Sequence, residues 1–238
     1  MVIGISCEEF GEISIEDCIK CGHCLPAPLI KSLKQYDNAP TLGKYGIREL
    51  IGCLRQAYYK RTIGVRDEYK PLFVLWMMKR GKYLEQVARG TGYNELEGIH
   101  LVDVDGEEVQ IRGKLDCYDI QTRTIIEIKS TKLFRGFKPK DIDILQLQCY
   151  VTLYRNILSG IRGLQLVYFG MNNYLTFDVS IVDQTDYLEE RVQELHRSIT
   201  NGDLPAKEDL GQCRYCVYQN ECRRDIPIEV EKEVEIVG

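Results

Sequence analysis

Two carboxylates and a lysine in the middle of the chain have the types and spacing needed for phosphate chemistry. Asp116 precedes Glu127 and Lys129, which lie two residues apart in an apolar segment. Residues two apart in a strand share a face, so Glu127 and Lys129 are predicted to point away from an apolar layer formed by Ile126 and Ile128. With Asp116 on the neighbouring strand, the carboxylates form an oxygen-rich site of the kind that Mg²⁺ or Mn²⁺ prefers. The lysine would act on water or stabilise charge on a phosphate.

A second interpretation gives the same residues a purely structural role. A carboxylate and a lysine on a buried strand are costly unless they have partners. Lys129 could form a partly buried salt bridge with Asp116 or Glu127 and do no chemistry. The pattern alone leaves both interpretations open.

Ten cysteines provide a second candidate chemistry, which is metal binding. In a chain that starts without an export signal, clustered cysteines bind metal more often than they form disulfides. A Cys-x2-Cys step lets two thiolates converge on one metal. A C-terminal trio needs a fourth ligand, which Cys7 or Cys53 could supply, whereas Cys117 and Cys149 lie in apolar segments and are predicted to be buried thiols. The two groups are Cys7, Cys18, Cys21 and Cys24 near the N-terminus, and Cys213, Cys216 and Cys222 near the C-terminus.

Hydrophobic periodicity predicts the elements that position these residues. Three antiparallel strands joined by tight turns and framed by helices predict an α/β domain around a mixed sheet. The predicted organisation is an N-terminal extension at 1–43, a core at 44–205, and a C-terminal segment and tail at 206–238. The predicted helices cover 46–61, 67–90, 141–158 and 186–199, and the predicted strands cover 96–104, 108–120, 124–131, 164–169 and 175–181.

Composition restricts the class of protein further. The 238 residues are 44% hydrophobic and 28% charged, which is typical of a globular chain. No apolar run approaches the ~20 residues that span a bilayer, and the N-terminus lacks a basic signal-peptide region. A cytoplasmic protein without a membrane partner is therefore expected. The sequence contains no Gly-rich phosphate loop, which argues against an ATP-driven motor.

Local patches would have to hold any nucleic acid, because a net charge of −5 provides no global basic field. The stretch 129–140 carries basic residues, no acidic one and two phenylalanines, and a second basic stretch covers 44–66. The first stretch is predicted to bind DNA by tracking phosphates and stacking bases, or else to be a solvated loop with its phenylalanines as core anchors. The candidate contacts are Lys132, Phe134, Arg135 and Lys138.

The acidic residues and the helix that follows them carry a resemblance to a known family. Asp116 followed by Glu127-Ile-Lys129 resembles the PD-(D/E)xK nuclease motif, and Gln146-x3-Tyr150 resembles the QxxxY motif of its RecB-like branch. The resemblance implies a restriction-endonuclease-like mixed central sheet flanked by helices. It also implies roles for the site residues: Asp116, Glu127 and the carbonyl of Ile128 would ligate Mn²⁺ or Mg²⁺, Lys129 would act on the attacking water, and Gln146 and Tyr150 would contact DNA or support the site.

The cysteines extend the resemblance to a narrower group. Cys53 with Cys213-x2-Cys216-x5-Cys222 resembles the iron–sulfur arrangement of the CRISPR-associated Cas-four nucleases and of AddB-type exonucleases. This implies a [4Fe–4S] cluster on those four thiolates. The family cleaves single-stranded DNA, typically as an exonuclease, and trims DNA for insertion into CRISPR arrays beside the integrase proteins. Many members self-associate.

Two departures from the family pattern leave alternatives open. Leu84 stands where the RecB-like branch usually has a metal-binding histidine, so Glu85 would substitute, the ion would have one ligand fewer, or activity would be weakened. The N-terminal cysteine group is extra and could hold Zn²⁺ or a second cluster, with His23 as an alternative ligand to Cys7. The alternative functions are a non-catalytic nucleic-acid scaffold on a degenerate nuclease fold and a RecB- or AddB-like repair or viral exonuclease.

Overall fold

Strands and short helices alternate along most of the chain. The computed structural model describes residues 2–33, 40–64, 68–88, 93–94, 96–170, 172–208, 210–211 and 213–225. The strands are β1 (Val2–Cys7), β2 (Gly11–Ser14), β3 (Lys44–Gly46), β4 (Glu68–Pro71), β5 (Tyr93–Asn94), β6 (Glu97–Val104), β7 (Glu107–Lys114), β8 (Cys117–Asp119), β9 (Thr124–Ser130), β10 (Gly163–Phe169) and β11 (Tyr174–Val179). The helices are α1 (Ile15–Cys21), α2 (Ala27–Ser32), α3 (Ile47–Leu50), α4 (Leu54–Thr62), α5 (Leu72–Ala88), α6 (Asp141–Tyr154), α7 (Thr185–Asn201) and α8 (Gln219–Arg224), with a 3-10 turn at Cys213–Tyr215.

Two sheets form the centre of the molecule. The larger has the order β11-β10-β9-β8-β5, in which β9 and β10 run parallel and the other pairs are antiparallel. The smaller has the order β3-β7-β6, with β3 parallel to β7 and a β6–β7 hairpin. Helices α6 and α7 pack against these sheets. The predicted α/β class with mixed strand directions and flanking helices is therefore confirmed.

The predicted strand at 108–120 is wrong as a single strand. β7 ends at Lys114 and β8 begins at Cys117, and the two strands belong to different sheets. One side chain satisfies backbone groups at this break, because the Tyr154 hydroxyl accepts the Leu115 N–H at 3.1 Å and lies 2.8 Å from the Gly113 carbonyl oxygen. Asp116 therefore lies at the bend between two sheets rather than inside a strand.

The first predicted helix also divides in two. Helix α3 ends at Leu50 and α4 begins at Leu54, with Cys53 in an extended conformation just before α4. The carbonyl groups of Leu50 and Gly52, which a continuous helix would use internally, accept hydrogen bonds from the Arg191 guanidinium of α7 instead. The break leaves the Cys53 thiol at the N-terminus of a helix.

Helix α6 approaches the β6–β7 hairpin closely because two glycines face it. Gly98 and Gly113 are cross-strand partners, and a Cβ on either one would lie 2.8 Å from an atom of Tyr154 or Leu153. The main hydrophobic core lies along this contact and extends to α3, α4, α7 and β10. The same helix carries Gln146 and Tyr150, so its close packing fixes their distance from the sheet.

The N-terminal residues form a third sheet that the sequence did not predict. Strand β1 pairs antiparallel with β2 and parallel with β4, the strand that leads directly into α5. The alternating tail at 226–238 and the side chains of Leu84 and Glu85 lie outside the described residues. Within the described ranges, no helix combines the length and the apolar character that crossing a membrane requires.

Candidate active site

The bend after β7 and the middle of β9 bring Asp116, Glu127 and Lys129 together. Asp116 is held against β9, because its Oδ2 accepts the backbone N–H of Ile128 at 2.9 Å. The Lys129 Nζ lies 2.5 Å from Glu127 Oε1 and 3.9 Å from an oxygen of Asp143. The predicted salt bridge is therefore present between Lys129 and Glu127.

Helix α6, which packs against the sheet, contributes two more residues to the polar cluster. Its residues Gln146 and Tyr150 are four apart and so lie on one face of the helix. The Gln146 amide donates to Glu127 Oε1 at 2.9 Å and to the Tyr150 hydroxyl at 2.8 Å, and its oxygen accepts from Lys129 at 2.9 Å. The Tyr150 hydroxyl donates to the Lys114 carbonyl at 2.9 Å. Both residues predicted from the QxxxY motif thus contact the acidic cluster or its support.

Glu127 lies on the core face of β9, and on the opposite face Ile128 is also buried while Ile126 is half-buried. The Glu127 side chain is fully buried, and Ile125 on the same face belongs to the main core. Burial raises the pKa of Glu127 to about 7, with Lys129 opposing that rise and Asp116 adding to it. Helix α6 covers this face, so the carboxylate depends on Gln146 and Lys129 for its polar contacts.

The donor chemistry of Asp116 and Glu127 suits a divalent ion. Glu127 Oε2 is buried and has no hydrogen-bond partner among the described residues, although Oε1 accepts from both Gln146 and Lys129. A buried carboxylate oxygen without a partner is costly, and a cation is the natural ligand for it. Asp116 and Glu127 are hard oxygen donors, which Mg²⁺ and Mn²⁺ prefer. The structure therefore favours these two carboxylates as the metal-holding residues.

An open cleft of about 1090 Å³ reaches this cluster. Lys129, Asp143 and Gln146 lie on one wall, and Met77 and Met78 of α5 lie on another. The sequence did not single out Asp143, whose Oδ2 accepts the Tyr168 hydroxyl at 2.7 Å. That pair spans α6 and β10, and no sequence pattern links two such distant positions.

Arg48 is a second site residue that sequence reasoning placed only within a basic stretch. Its guanidinium lies 3.6 Å from Glu127 Oε1, and 71% of the side chain remains exposed. It lines the cleft beside the acidic cluster. An exposed cation at the mouth of an acidic site is suited to contact a phosphate group.

The remaining basic residues divide between the surface and the core. Arg61 forms a two-point ion pair with Glu49 at 2.6 and 2.7 Å, and Arg55 is buried against Asp225. These two cations of the stretch 44–66 are therefore ion-paired within the protein, whereas Lys44 and Arg48 are exposed. Arg66 lies outside the described residues.

The loop after β9 presents the predicted DNA contacts to solvent. Lys132, Phe134, Arg135 and Lys138 are all exposed, and Phe134 is 63% exposed. Phe137 instead packs on Tyr168, with ring centres 4.9 Å apart, and anchors the loop in the core. The two phenylalanines thus have different environments, one solvated and one packed.

The C-terminal cysteines meet Cys53 around one cavity. Cys53, Cys213, Cys216 and Cys222 all line a space of about 570 Å³. Burial raises the pKa values of the Cys53 and Cys216 thiols. Hydrogen bonds from backbone N–H groups at the start of α4 offset part of this rise at Cys53. The donor set and the shared cavity fit a group held by four thiolates. No three histidine, cysteine, aspartate or glutamate side chains in the described ranges converge at metal-binding distance.

The N-terminal cysteines lie near one another at one end of the small third sheet. Burial raises the pKa of the Cys18 thiol, and the neighbouring thiols of Cys21, Cys24 and Cys7 raise it further. Cys18 is buried, Cys21 and Cys24 are exposed, and Cys7 is intermediate. As predicted, Cys117 and Cys149 are buried away from both groups.

Comparison with known proteins identifies the chain as a nuclease, in agreement with the acidic cluster. The profile of the PD-(D/E)XK nuclease superfamily matches residues 33–223. The chain belongs to this superfamily. No curated protein matches the chain.

Comparison with solved structures found one that shares the fold, SSO0001, and weaker matches to two others, all at low sequence identity. The crystal structure of SSO0001 is 17% identical, with a TM-score of 0.55 over 90% of this chain and 96% of that one. An exonuclease candidate from Eubacterium rectale is 15% identical, with a TM-score of 0.36 over 68% of this chain and 62% of that one. A phage-related exonuclease from Haemophilus somnus is 13% identical, with a TM-score of 0.43 over 66% of this chain and 95% of that one.

Proposed function

We propose that this protein is a divalent-metal-dependent DNA exonuclease that acts on single strands. The buried Glu127 carboxylate carries the proposal, because one of its oxygens lacks a partner among the described residues while the other is held by Lys129 and Gln146. A purely structural salt bridge does not require this arrangement. Membership of a nuclease superfamily supplies the reaction class, which is phosphodiester hydrolysis.

In this mechanism Asp116, Glu127 and the carbonyl of Ile128 would hold Mg²⁺ or Mn²⁺. Such an ion, when bound, lowers the pKa of coordinated water and neutralises charge on the scissile phosphate. Gln146 fixes the Glu127 carboxylate from one side, and Lys129 lies beside it where it can stabilise an attacking water. Arg48 contacts the phosphate from the open side of the cleft.

The surface beside the cleft supports a single-stranded substrate. Exposed Phe134 lies between basic residues in the loop that directly follows β9. A base of a single strand can stack on an exposed ring for ~1–3 kcal/mol, whereas a base inside a duplex cannot reach it. Lys132, Arg135 and Lys138 would follow the phosphates.

The proposal also includes a [4Fe–4S] cluster on Cys53, Cys213, Cys216 and Cys222. The cavity that the four cysteines share supports the cluster. The sequence resemblance to the Cas-four nucleases supports a role in processing DNA for CRISPR spacer acquisition, beside integrase proteins. The same resemblance supports a homo-oligomer. Because Cys53 precedes α4 and the other three cysteines lie in the C-terminal segment, a shared cluster would join α4 to that segment. Because a cluster would colour the protein brown, absorbance of anaerobically purified protein tests this part separately.

Cleavage of end-labelled single-stranded DNA with Mn²⁺ or Mg²⁺ tests the nuclease proposal. Glu127→Gln keeps the shape of the side chain but removes its charge. Loss of a residue that only supports a metal ligand costs up to about 100-fold in activity, so loss of a ligand itself should lower cleavage by at least about 100-fold. Glu190→Gln, on the exposed face of α7, is the matched control and should cleave normally. An exonuclease should leave circular single-stranded DNA intact.

The outcomes separate the candidate functions. Metal-dependent cleavage that Glu127→Gln retains would overturn the assignment of the site. DNA binding without any cleavage by the folded wild type would favour the non-catalytic scaffold, the alternative raised by Leu84. Cleavage of circular DNA would replace the exonuclease with an endonuclease.

A further inference from the structure

The described residues of the N-terminal unit bury only a small apolar core. Its buried cluster contains six side chains, one of them from α5. Units of this size usually need a disulfide, a metal or a partner to fold, because they bury too little apolar surface. The cluster consists of Ile5, Ile15, Cys18, Ile30, Leu33 and Leu75.

Four thiols lie where such a unit could be closed. Cys7 ends β1 opposite Gly11, so it lies at the turn of the β1–β2 hairpin. Cys18 and Cys21 are three residues apart on α1 and share a face. The helix ends at Gly22, whose left-handed conformation, with φ 60°, turns the chain back so that Cys24 follows closely. Two elements and one turn therefore bring the four cysteines to the same end of the unit.

We propose that Cys7, Cys18, Cys21 and Cys24 bind one structural Zn²⁺ ion. Four thiolates with no open position are the donor set of a closed structural zinc site. Among the described side chains, no three candidate ligands converge at metal-binding distance, so zinc binding would require the four thiols to move together. The binding free energy would then add to the folding free energy of the unit.

The site would also stabilise one wall of the catalytic cleft. Strand β1 pairs in parallel with β4, and β4 continues into α5. Helix α5 contributes Met77, Met78 and Gly81 to the cleft, and Leu75 of the same helix is buried in the N-terminal cluster. A zinc-closed unit would thus fix α5 against β9. This consequence, unlike the zinc site itself, rests on the proposed function.

Metal analysis of the full chain tests the proposal without measuring activity. Cys21→Ser and Cys24→Ser replace exposed thiols and spare the buried cluster. Wild type, purified without oxygen, should contain about one zinc per chain, and each serine variant should contain less than about a tenth of that. His23→Ala, between the two cysteines, is the matched control and should keep its zinc. Cys216→Ser should lose iron and keep zinc, which separates this site from the proposed cluster.

Cobalt absorbance provides a second readout that needs no variant. Wild type that is depleted of zinc and loaded with Co²⁺ should show thiolate-to-cobalt charge-transfer absorbance and the visible bands of a tetrahedral site. Absence of zinc and of these bands in folded wild type would overturn the proposal. Loss of iron rather than zinc from Cys21→Ser would assign a second cluster instead, and loss of zinc from His23→Ala would contradict the four-thiolate ligand set. A protein with zinc but without iron would contradict only the C-terminal cluster.

Discussion

Tyr150 connects the acidic cluster to the strand end that precedes Asp116. Its hydroxyl accepts from the Gln146 amide at 2.8 Å and donates to the Lys114 carbonyl at 2.9 Å. Tyr150→Phe should lower the free energy of unfolding by about 1–2 kcal/mol, because the buried Gln146 amide loses its acceptor and the Lys114 carbonyl loses this donor. Cleavage should fall less than in Glu127→Gln, because Gln146 keeps its bonds to Glu127 and Lys129.

Thermal unfolding and kcat/KM of the same preparation measure both effects. Tyr174→Phe is the matched control, because the Tyr174 side chain is 69% exposed and should tolerate the loss of its hydroxyl. An equal effect of the two variants would show that the Tyr150 hydroxyl has no special role.

Sequence reasoning at the residue scale works where a chemical need is visible in residue types. Glu127 and Lys129 are predictable because a charged pair on an apolar strand needs a reason. Arg48 and Asp143 are not, because each looks like an ordinary surface charge in its own segment. Their place in the site depends on the packing of α3 and α6 against the sheets, and that packing is not encoded within either segment.

At the scale of elements, the Gly98–Gly113 pair sets the distance between α6 and the β6–β7 hairpin. A Cβ on Gly113 would lie 2.8 Å from Leu153 and 2.9 Å from Ile47. Gly113→Ala should therefore lower the free energy of unfolding by about 1–3 kcal/mol through overpacking. It should also reduce cleavage, because α6 carries Gln146.

Gly46→Ala is the control for this substitution. Gly46 has a negative φ of −82°, and a Cβ there meets no atom within 4 Å. Denaturant unfolding and cleavage rates together measure the outcome. A Gly113→Ala protein with wild-type stability would show that α6 can shift away from the hairpin at little cost.

Asp183 lies two residues before the first residue of α7 and makes the stability of this helix start depend on pH. Asp183 Oδ1 accepts the Thr185 backbone N–H at 3.0 Å and the Thr185 hydroxyl, and these bonds hold the pKa of Asp183 below its usual range. A lowered pKa means that the stabilisation is present above the pKa of the unfolded chain, near 4, and is lost as pH falls through the folded value.

Asp183→Ala should lower the free energy of unfolding by about 0.5–1 kcal/mol at pH 7, because the hydrogen bonds to Thr185 are lost while the carboxylate is largely exposed. The difference in melting temperature from wild type should shrink as pH falls from 5 to 3. Asp183→Asn keeps an acceptor that does not titrate, so it should cost less at pH 7. A constant difference between Asp183→Ala and wild type across this range would contradict the carboxylate as the source.

Hydrophobic periodicity does not predict where a helix or strand is interrupted. The break at Leu115–Asp116 and the break before Cys53 both fall inside segments whose local pattern continues. Each break is stabilised from a distance, by Tyr154 in the first case and Arg191 in the second. The sequence predicts the helices and strands themselves because apolar spacing is local, whereas their interruptions require partners on other elements.

At the scale of the whole molecule, the C-terminal segment closes back onto α4, a long way along the chain. Tyr218 is 3% exposed, stacks on Tyr59 with ring centres 5.9 Å apart, and donates its hydroxyl to the Gly64 carbonyl at 2.8 Å. Arg55 reinforces the same contact through its ion pair with Asp225. Protein contacts therefore already hold the segment that carries Cys213, Cys216 and Cys222, three of the cysteines in the proposed cluster.

Tyr218→Ala should release this segment. Removal of a buried aromatic ring should cost roughly 3 kcal/mol, and the loosened segment should be cut by protease at concentrations that leave wild type intact. Tyr215→Ala is the control, because Tyr215 lies in the same segment with its side chain 74% exposed. If aromatic packing positions the thiolates, Tyr218→Ala should also contain less iron per chain than Tyr215→Ala. Equal protease resistance of the two variants would instead mean that the segment is held without Tyr218, by the Arg55–Asp225 ion pair or by the proposed cluster.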